Sequence, residues 1–324
     1  MKIKNYTYPL KEFGLKHIEE LLKPGDLFVD IETTGFLPAR CHVYLIGTGY
    51  LSNDFVTVQL FYAQTKEEEK EILSAFSDLC KKFDRLITFN GEGFDLSFLK
   101  TRFERYDLIC DFLRLNSLDL FKEAKKYRHY LNLQHYKQKD LECFFGRFRE
   151  DEYSGGELID IYKKQSSLPT KDEEDLLFLH NLEDVKGMVQ LLCVLDFSIL
   201  ENNAPTIDKI RIDEKELSFF GHYDTELNLD FKLIKNEIYF KINEKGICGS
   251  IPLSDKKFKY YLPNFKDYFY VEDEALLLPK ALKHTVDKDR IRKAKKEECF
   301  VLTDPNALSK EKLGEYVKQI LNDK

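Results

Sequence analysis

Asp30 and Glu32 stand two positions apart at the end of an apolar run, "DLFVDIETTG" (26–35). Side chains in a strand alternate faces, so these two acids project the same way, roughly 6.5–7 Å apart along the chain. Carboxylates so placed repel each other unless a cation or a shared proton lies between them. Taken alone, the pair reads as solvated acids where a strand runs out into a Thr/Gly turn.

Two further features change that reading. Asp95, in "ITFNGEGFDLSFLKTRF" (87–103), follows a short apolar strand and falls in the first turn of an expected helix. Ligands of open α/β sheets gather at that place, and the helix dipole favours an acid there. In "HNLEDV" (180–185), His180 and Asp184 are four residues apart on one helix face that continues through Met188 and Leu191. An acid and an imidazole on a core-facing stripe are costly to bury unless something satisfies them. Asp30, Glu32, Asp95 and Asp184, converging from separate elements on one sheet end, would suit two divalent cations. Magnesium or manganese, with their preference for oxygen ligands, are the ions expected. Such a pair can clamp the attacking and leaving oxygens of a phosphodiester displacement, with His180 taking the proton of the attacking water.

The elements that must position these residues follow from periodicity. Strands are expected at "DLFVDIE", "HVYLIGTGYL" (42–51) and "FVTVQLFY" (55–62), with Gly49 and "SND" (52–54) as turn signals. Ile72, Leu73, Phe76, Leu79, Cys80 and Phe83 recur at helical spacing within 66–83. A strand at 86–89, a helix at 94–103, helical segments across much of 118–198 and a long helix at 171–197 follow. The expected fold is an α/β mixed sheet flanked by helices, over a domain of residues 1–202. Residues 203–324 read as a smaller β-rich α+β domain ending in a helix at 309–323, with "GICGSIPL" (246–253) as an interruption. Its role, nucleic-acid or partner binding, is open.

"DIETTG", "FNGEGFD" and "HNLEDV" resemble the three exonuclease motifs of the DEDD superfamily, whose fold is RNase-H-like. More narrowly they resemble the bacterial YprB-type exonucleases, over roughly residues 24–197. The resemblance implies Asp30, Glu32, Asp95 and Asp184 as metal ligands, His180 as general base and a 3′-to-5′ direction. It further implies Asn90, Phe94 and Thr33 as residues that hold the terminal nucleotide. Most members with a His-type third motif have four residues between His and Asp; here there are three, in agreement with the YprB-type pattern. DNA, in a repair setting beside a helicase or another repair protein, is the substrate the resemblance favours. An RNA-processing exonuclease, a structure-selective endonuclease and a catalytically silent nucleic-acid-binding protein are the alternatives.

Composition bounds these readings. With 324 residues, 43% hydrophobic and 33% charged, the chain has ample core for a soluble globular protein. No apolar run approaches the length of a membrane span, and "MKIKNYTYPLKEFG" lacks the apolar stretch of a secretory signal. Seven scattered cysteines, without a Cys-x-x-Cys pair, suggest neither a disulfide framework nor a zinc module and point to a reduced, cytoplasmic setting. The net charge of −7 opposes indiscriminate polyanion binding but leaves room for a local basic groove. "KTRFER" (100–105) and "FKEAKKYRH" (121–129) are candidates for one. Asp119 is a candidate helix cap or a support for the metal ligands.

Overall fold

In the computed structural model, which describes residues 1–167 and 169–323, the first strand lies where sequence periodicity shows none. β1 (Lys2–Pro9) pairs along its whole length, antiparallel, with β4 (Phe55–Tyr62). Its covered face carries Lys2, Lys4, Tyr6 and Tyr8, so the usual apolar alternation is missing. Lys2 and Lys4 instead reach Glu174 and Asp175 (2.5 and 3.3 Å), and Lys4 lies over the Phe178 ring.

The chain divides into two units, Met1–Leu195 and Asp196–Lys324. The first continues through α1 (Ile18–Leu21), β2 (Asp26–Thr33), β3 (Val43–Ser52), α2 (Glu69–Cys80), β5 (Arg85–Thr88), α3 (Asp95–Arg105) and β6 (Asn116–Asp119). It closes with α4 (Leu120–Lys126), α5 (Arg128–Leu131), α6 (Gln138–Phe144), α7 (Gly155–Ser167) and α8 (Lys171–Leu191). The sheet order is β1-β4-β3-β2-β5-β6, with β2, β5 and β6 parallel and the other pairs antiparallel. This is the mixed sheet with flanking helices that the periodicity predicts.

On β2, Leu27, Val29 and Ile31 enter one apolar cluster with Phe76 of α2 and with Phe98 and Phe103 of α3. The alternate residues, Phe28, Asp30 and Glu32, face the other side, where α8 packs on β2 and β3. Gly49 is not a turn residue, because β3 runs through it and the chain reverses at Asn53, in the left-handed region. Its role is close approach. A Cβ on Gly49 would stand 2.6 Å from Val185 Cγ1, and one on Gly47 would stand 2.0 Å from Asn181 Oδ1. Two bare positions on β3 thus let α8 lie close to the strand.

The second unit comprises α9 (Phe197–Asn202), β7 (Thr206–Ile212), β8 (Glu216–His222), β9 (Phe231–Lys235), β10 (Ile238–Asn243) and β11 (Gly246–Pro252). Then come β12 (Phe258–Tyr261), β13 (Tyr268–Val271), β14 (Leu276–Pro279), β15 (Ile291–Lys293), β16 (Phe300–Thr303) and α10 (Lys310–Asn322). The antiparallel sheet β7-β8-β11-β10-β9 is joined by the small sheets β12-β16 and β14-β13-β15. "GICGSIPL" is no interruption, since β11 is an inner strand paired on both sides. The aromatic segment 259–270 contributes to packing within this unit: Tyr260 stacks on Tyr316 at 4.3 Å, and Tyr261 is buried. In the basic run 287–296, Arg290 and Arg292 are paired with Asp273, Glu274, Glu272 and Glu298. Among the described residues no helix is long and apolar enough to cross a membrane.

Candidate active site at the end of the central strand

The pairing of β2 with β3 slips after Glu32: Glu32 faces Leu45, whereas Thr33 faces Val43, skipping Tyr44. A bulge of this kind re-aims side chains at a strand end, here beside the two acids. Asp95 is the first residue of α3, which lies on the opposite layer of the sheet, yet it reaches the strand: the Ile31 amide donates to Asp95 Oδ1 at 3.3 Å. The turn that delivers Asp95 begins at Asn90, whose φ of 60° is left-handed, a conformation asparagine tolerates. Asp119 holds that turn, accepting the amides of Asn90 (2.8 Å) and Glu92 (3.2 Å) while capping α4 through Phe121 (3.0 Å). Its role is therefore to cap the helix and fix the turn.

α8 supplies the remaining groups. His180 Nε2 lies 3.2 Å from Asp184 Oδ2 and 3.5 Å from Glu32 Oε1. Asn181 Nδ2 donates to Asp30 Oδ2 at 2.6 Å. Asp30, Glu32, Asp95, His180 and Asp184 are thus brought to one end of the sheet by three separate elements.

Burial pushes the carboxyls of Asp30 and Glu32 well above the ordinary range, and the charges of Asp184 and Asp95 add to it. Asp95 is raised to about 7, chiefly by burial, against the opposing hydrogen bonds of backbone amides that include Ile31. Acids that resist joint ionisation are relieved by a cation. Ligand atoms of Glu32, His180 and Asp184 lie within 4.8 Å of one another. Carboxylate oxygens with one imidazole form a donor set that fits magnesium or manganese. His180 thus stands among the candidate ligands as well as in reach of a proton-accepting role.

Several groups around the site carry no signal in the sequence. Arg149 bonds Asp184 Oδ1 at 2.6 Å and grips Glu142 of α6 with two nitrogens, one at 2.6 Å to Oε1. On the other side, His180 Nδ1 is 2.6 Å from Asp151 Oδ2, which also accepts from Lys139 Nζ at 2.8 Å. Burial opposes ionisation of Asp151, but Lys139 and His180 outweigh it and hold this carboxyl below its ordinary value. Each residue of the His180/Asp184 pair is thus held by an ionic chain that starts on α6. The links onto α8 span 29 and 35 residues, without periodicity, so no spacing rule finds them.

A cleft of about 730 Å³ opens at Asp30 and Asp95. Phe89, Phe94, Phe121 and Tyr136 line it, with Lys125 and Lys137. Asn90 also lines this cleft. Thr33 does not; it is buried, and its hydroxyl donates to the Gly35 carbonyl at 2.9 Å within the turn. The groove expected from "KTRFER" is corrected at Arg102, which points inward, 1% exposed, onto Glu69. Glu69 needs that partner because it is fully buried while receiving the Val43 amide. In the second basic run Lys122 pairs with Glu92, whereas Lys125 stands over the Phe121 ring at 4.1 Å in the cleft.

A family model described as "RNase_H superfamily" matches residues 27–195, a span that contains every residue of this site. Among solved structures the chain is similar to the family B DNA polymerase from the hyperthermophilic archaeon Pyrobaculum calidifontis, at 14% identity and a TM-score of 0.42. That match covers 59% of this chain, which spans 31% of the polymerase chain. No curated protein matches the chain.

Proposed function

We propose, since the chain belongs to the RNase H superfamily, that its first unit is a metal-dependent nuclease, a 3′-to-5′ exonuclease of the DEDD, YprB-type kind. The observation that carries this is the meeting of four acids and one imidazole at the end of β2. The adjoining cleft adds to it, because aromatic faces stack bases and lysines follow a phosphate backbone.

Asp30, Glu32, Asp95 and Asp184 would hold two ions of magnesium or manganese. When bound, such ions supply an acidified water and neutralise charge on the leaving oxygen. The chain's own groups do the rest. Phe94 and Asn90, in the cleft wall, hold the terminal nucleotide. His180 Nε2, directed at Glu32 and Asp184, accepts the proton of the attacking water. Preference for DNA and action in repair beside a helicase are part of the same proposal and rest on the motif resemblance alone.

The test is digestion of 5′-labelled single-stranded DNA and the matching RNA with manganese, magnesium or EDTA, beside Asp30→Ala. A metal-dependent ladder shortening from the 3′ end, absent in the folded variant, is expected. Equal turnover by Asp30→Ala would remove the assignment. Cutting of a closed circle would turn the reading to an endonuclease.

A further inference from the structure

We propose that Asp151 is the positioning residue of His180, holding the imidazole in the tautomer and rotamer that present Nε2 to Glu32 and Asp184. The Asp151 side chain is 1% exposed and is surrounded by donors. Its Oδ2 accepts from Lys139 Nζ (2.8 Å), and its Oδ1 accepts from the Tyr153 amide (3.1 Å). An ionised carboxylate, which only accepts, satisfies both. The remaining neighbour at 2.6 Å, His180 Nδ1, must then carry a proton. A neutral imidazole has one N–H, so the lone pair falls on Nε2, the nitrogen 3.2 and 3.5 Å from the two acids.

The backbone around Asp151 is tied to the same helix as its target. Glu183 of α8 accepts the amides of Glu150 (3.0 Å) and Asp151 (2.8 Å). Loop 150–151 is thereby clamped one residue from Asp184 and three from His180. Carboxylate and imidazole keep their register because the helix that carries the imidazole also fixes the loop that carries the carboxylate. Whether Nε2 takes a proton or holds an ion, the same tautomer is required.

The kinetic arm of the test rests on the nuclease reading; the spectroscopic arm does not. Asp151→Asn is nearly isosteric and loses an acceptor whichever way its amide turns, because Lys139 and the Tyr153 amide both donate. In the metal-free 324-residue chain with 15N-labelled histidine, NMR at a pH where His180 is neutral should place the proton on Nδ1. In Asp151→Asn it should move wholly or partly to Nε2. On the labelled oligonucleotide, Asp151→Asn should lower kcat about 10–100-fold while KM stays within about twofold, and Asp151→Asn/His180→Ala should be no slower than His180→Ala alone. A wild-type proton on Nε2, or losses that add in the double variant, would overturn the role. With an inactive wild type the nuclease reading falls, and the tautomer alone upholds or overturns Asp151.

Discussion

Raising the pH of the metal-free protein should weaken it, and Asp95 sets the scale. Its carboxyl, ordinarily near 3.8, is raised to about 7 by burial. Between these values the native state binds more protons than the unfolded chain, so stability falls as pH rises through that window. Below it both states are protonated and no penalty exists; above it the penalty is complete. At about 1.4 kcal/mol per pH unit, Asp95 alone accounts for on the order of 4 kcal/mol. Asp30 and Glu32, raised by the same burial, act in the same direction. Asp95→Asn isolates the effect, since the amide oxygen still accepts from Ile31 but carries no charge. Urea denaturation followed by circular dichroism, in EDTA, should find this variant close to wild type at about pH 4 and more stable at about pH 8. Manganese should stabilise wild type at the higher pH, by mass action on the native state, and Asp95→Asn less. Identical pH profiles for wild type and variant, or a variant weaker at about pH 8, would refute the electrostatic account of the site.

Four other substitutions probe the site and its supports. Gly47→Ala places a Cβ against Asn181 Oδ1 and Val185; urea denaturation should show a loss of about 1–3 kcal/mol, with slower digestion because α8 carries His180 and Asp184. Arg149→Met strips the cation from Glu142 and Asp184, and breaking so buried a pair should lower stability by about 3–5 kcal/mol. Adding Glu142→Gln should recover part of that loss in the same assay, and no recovery would separate Glu142 from the network. Phe94→Ala should raise KM for the oligonucleotide more than it lowers kcat, by the equivalent of about 1–3 kcal/mol for one lost stacked base. Steady-state kinetics at several oligonucleotide concentrations check this.

The sequence by itself determined the acids and where they could meet. Strand alternation puts Asp30 and Glu32 on one face, helical spacing does the same for His180 and Asp184, and Asp95 opens a helix after a buried strand. Local geometry suffices for these, because each relation lies within a single element. It likewise sufficed for the mixed sheet with flanking helices. Tertiary structure alone decided what holds the acids in place. Asp151 and Arg149 reach α8 across 29 and 35 positions, with Glu142 holding Arg149 in turn, and ion pairs at such separation follow no period in the chain. β1 escaped notice because its covered face is lysine and tyrosine, satisfied by acids and a phenylalanine far along the sequence. Gly49 read as a turn because a glycine's need for a neighbouring helix is invisible until that helix is packed. The same holds for Arg102: as a charge in a run it suggested a surface, and only the buried Glu69 opposite makes it part of the interior. Chemistry that depends on residue type and local spacing can be read from a string of letters; charge compensation depends on which distant groups folding brings within hydrogen-bond reach.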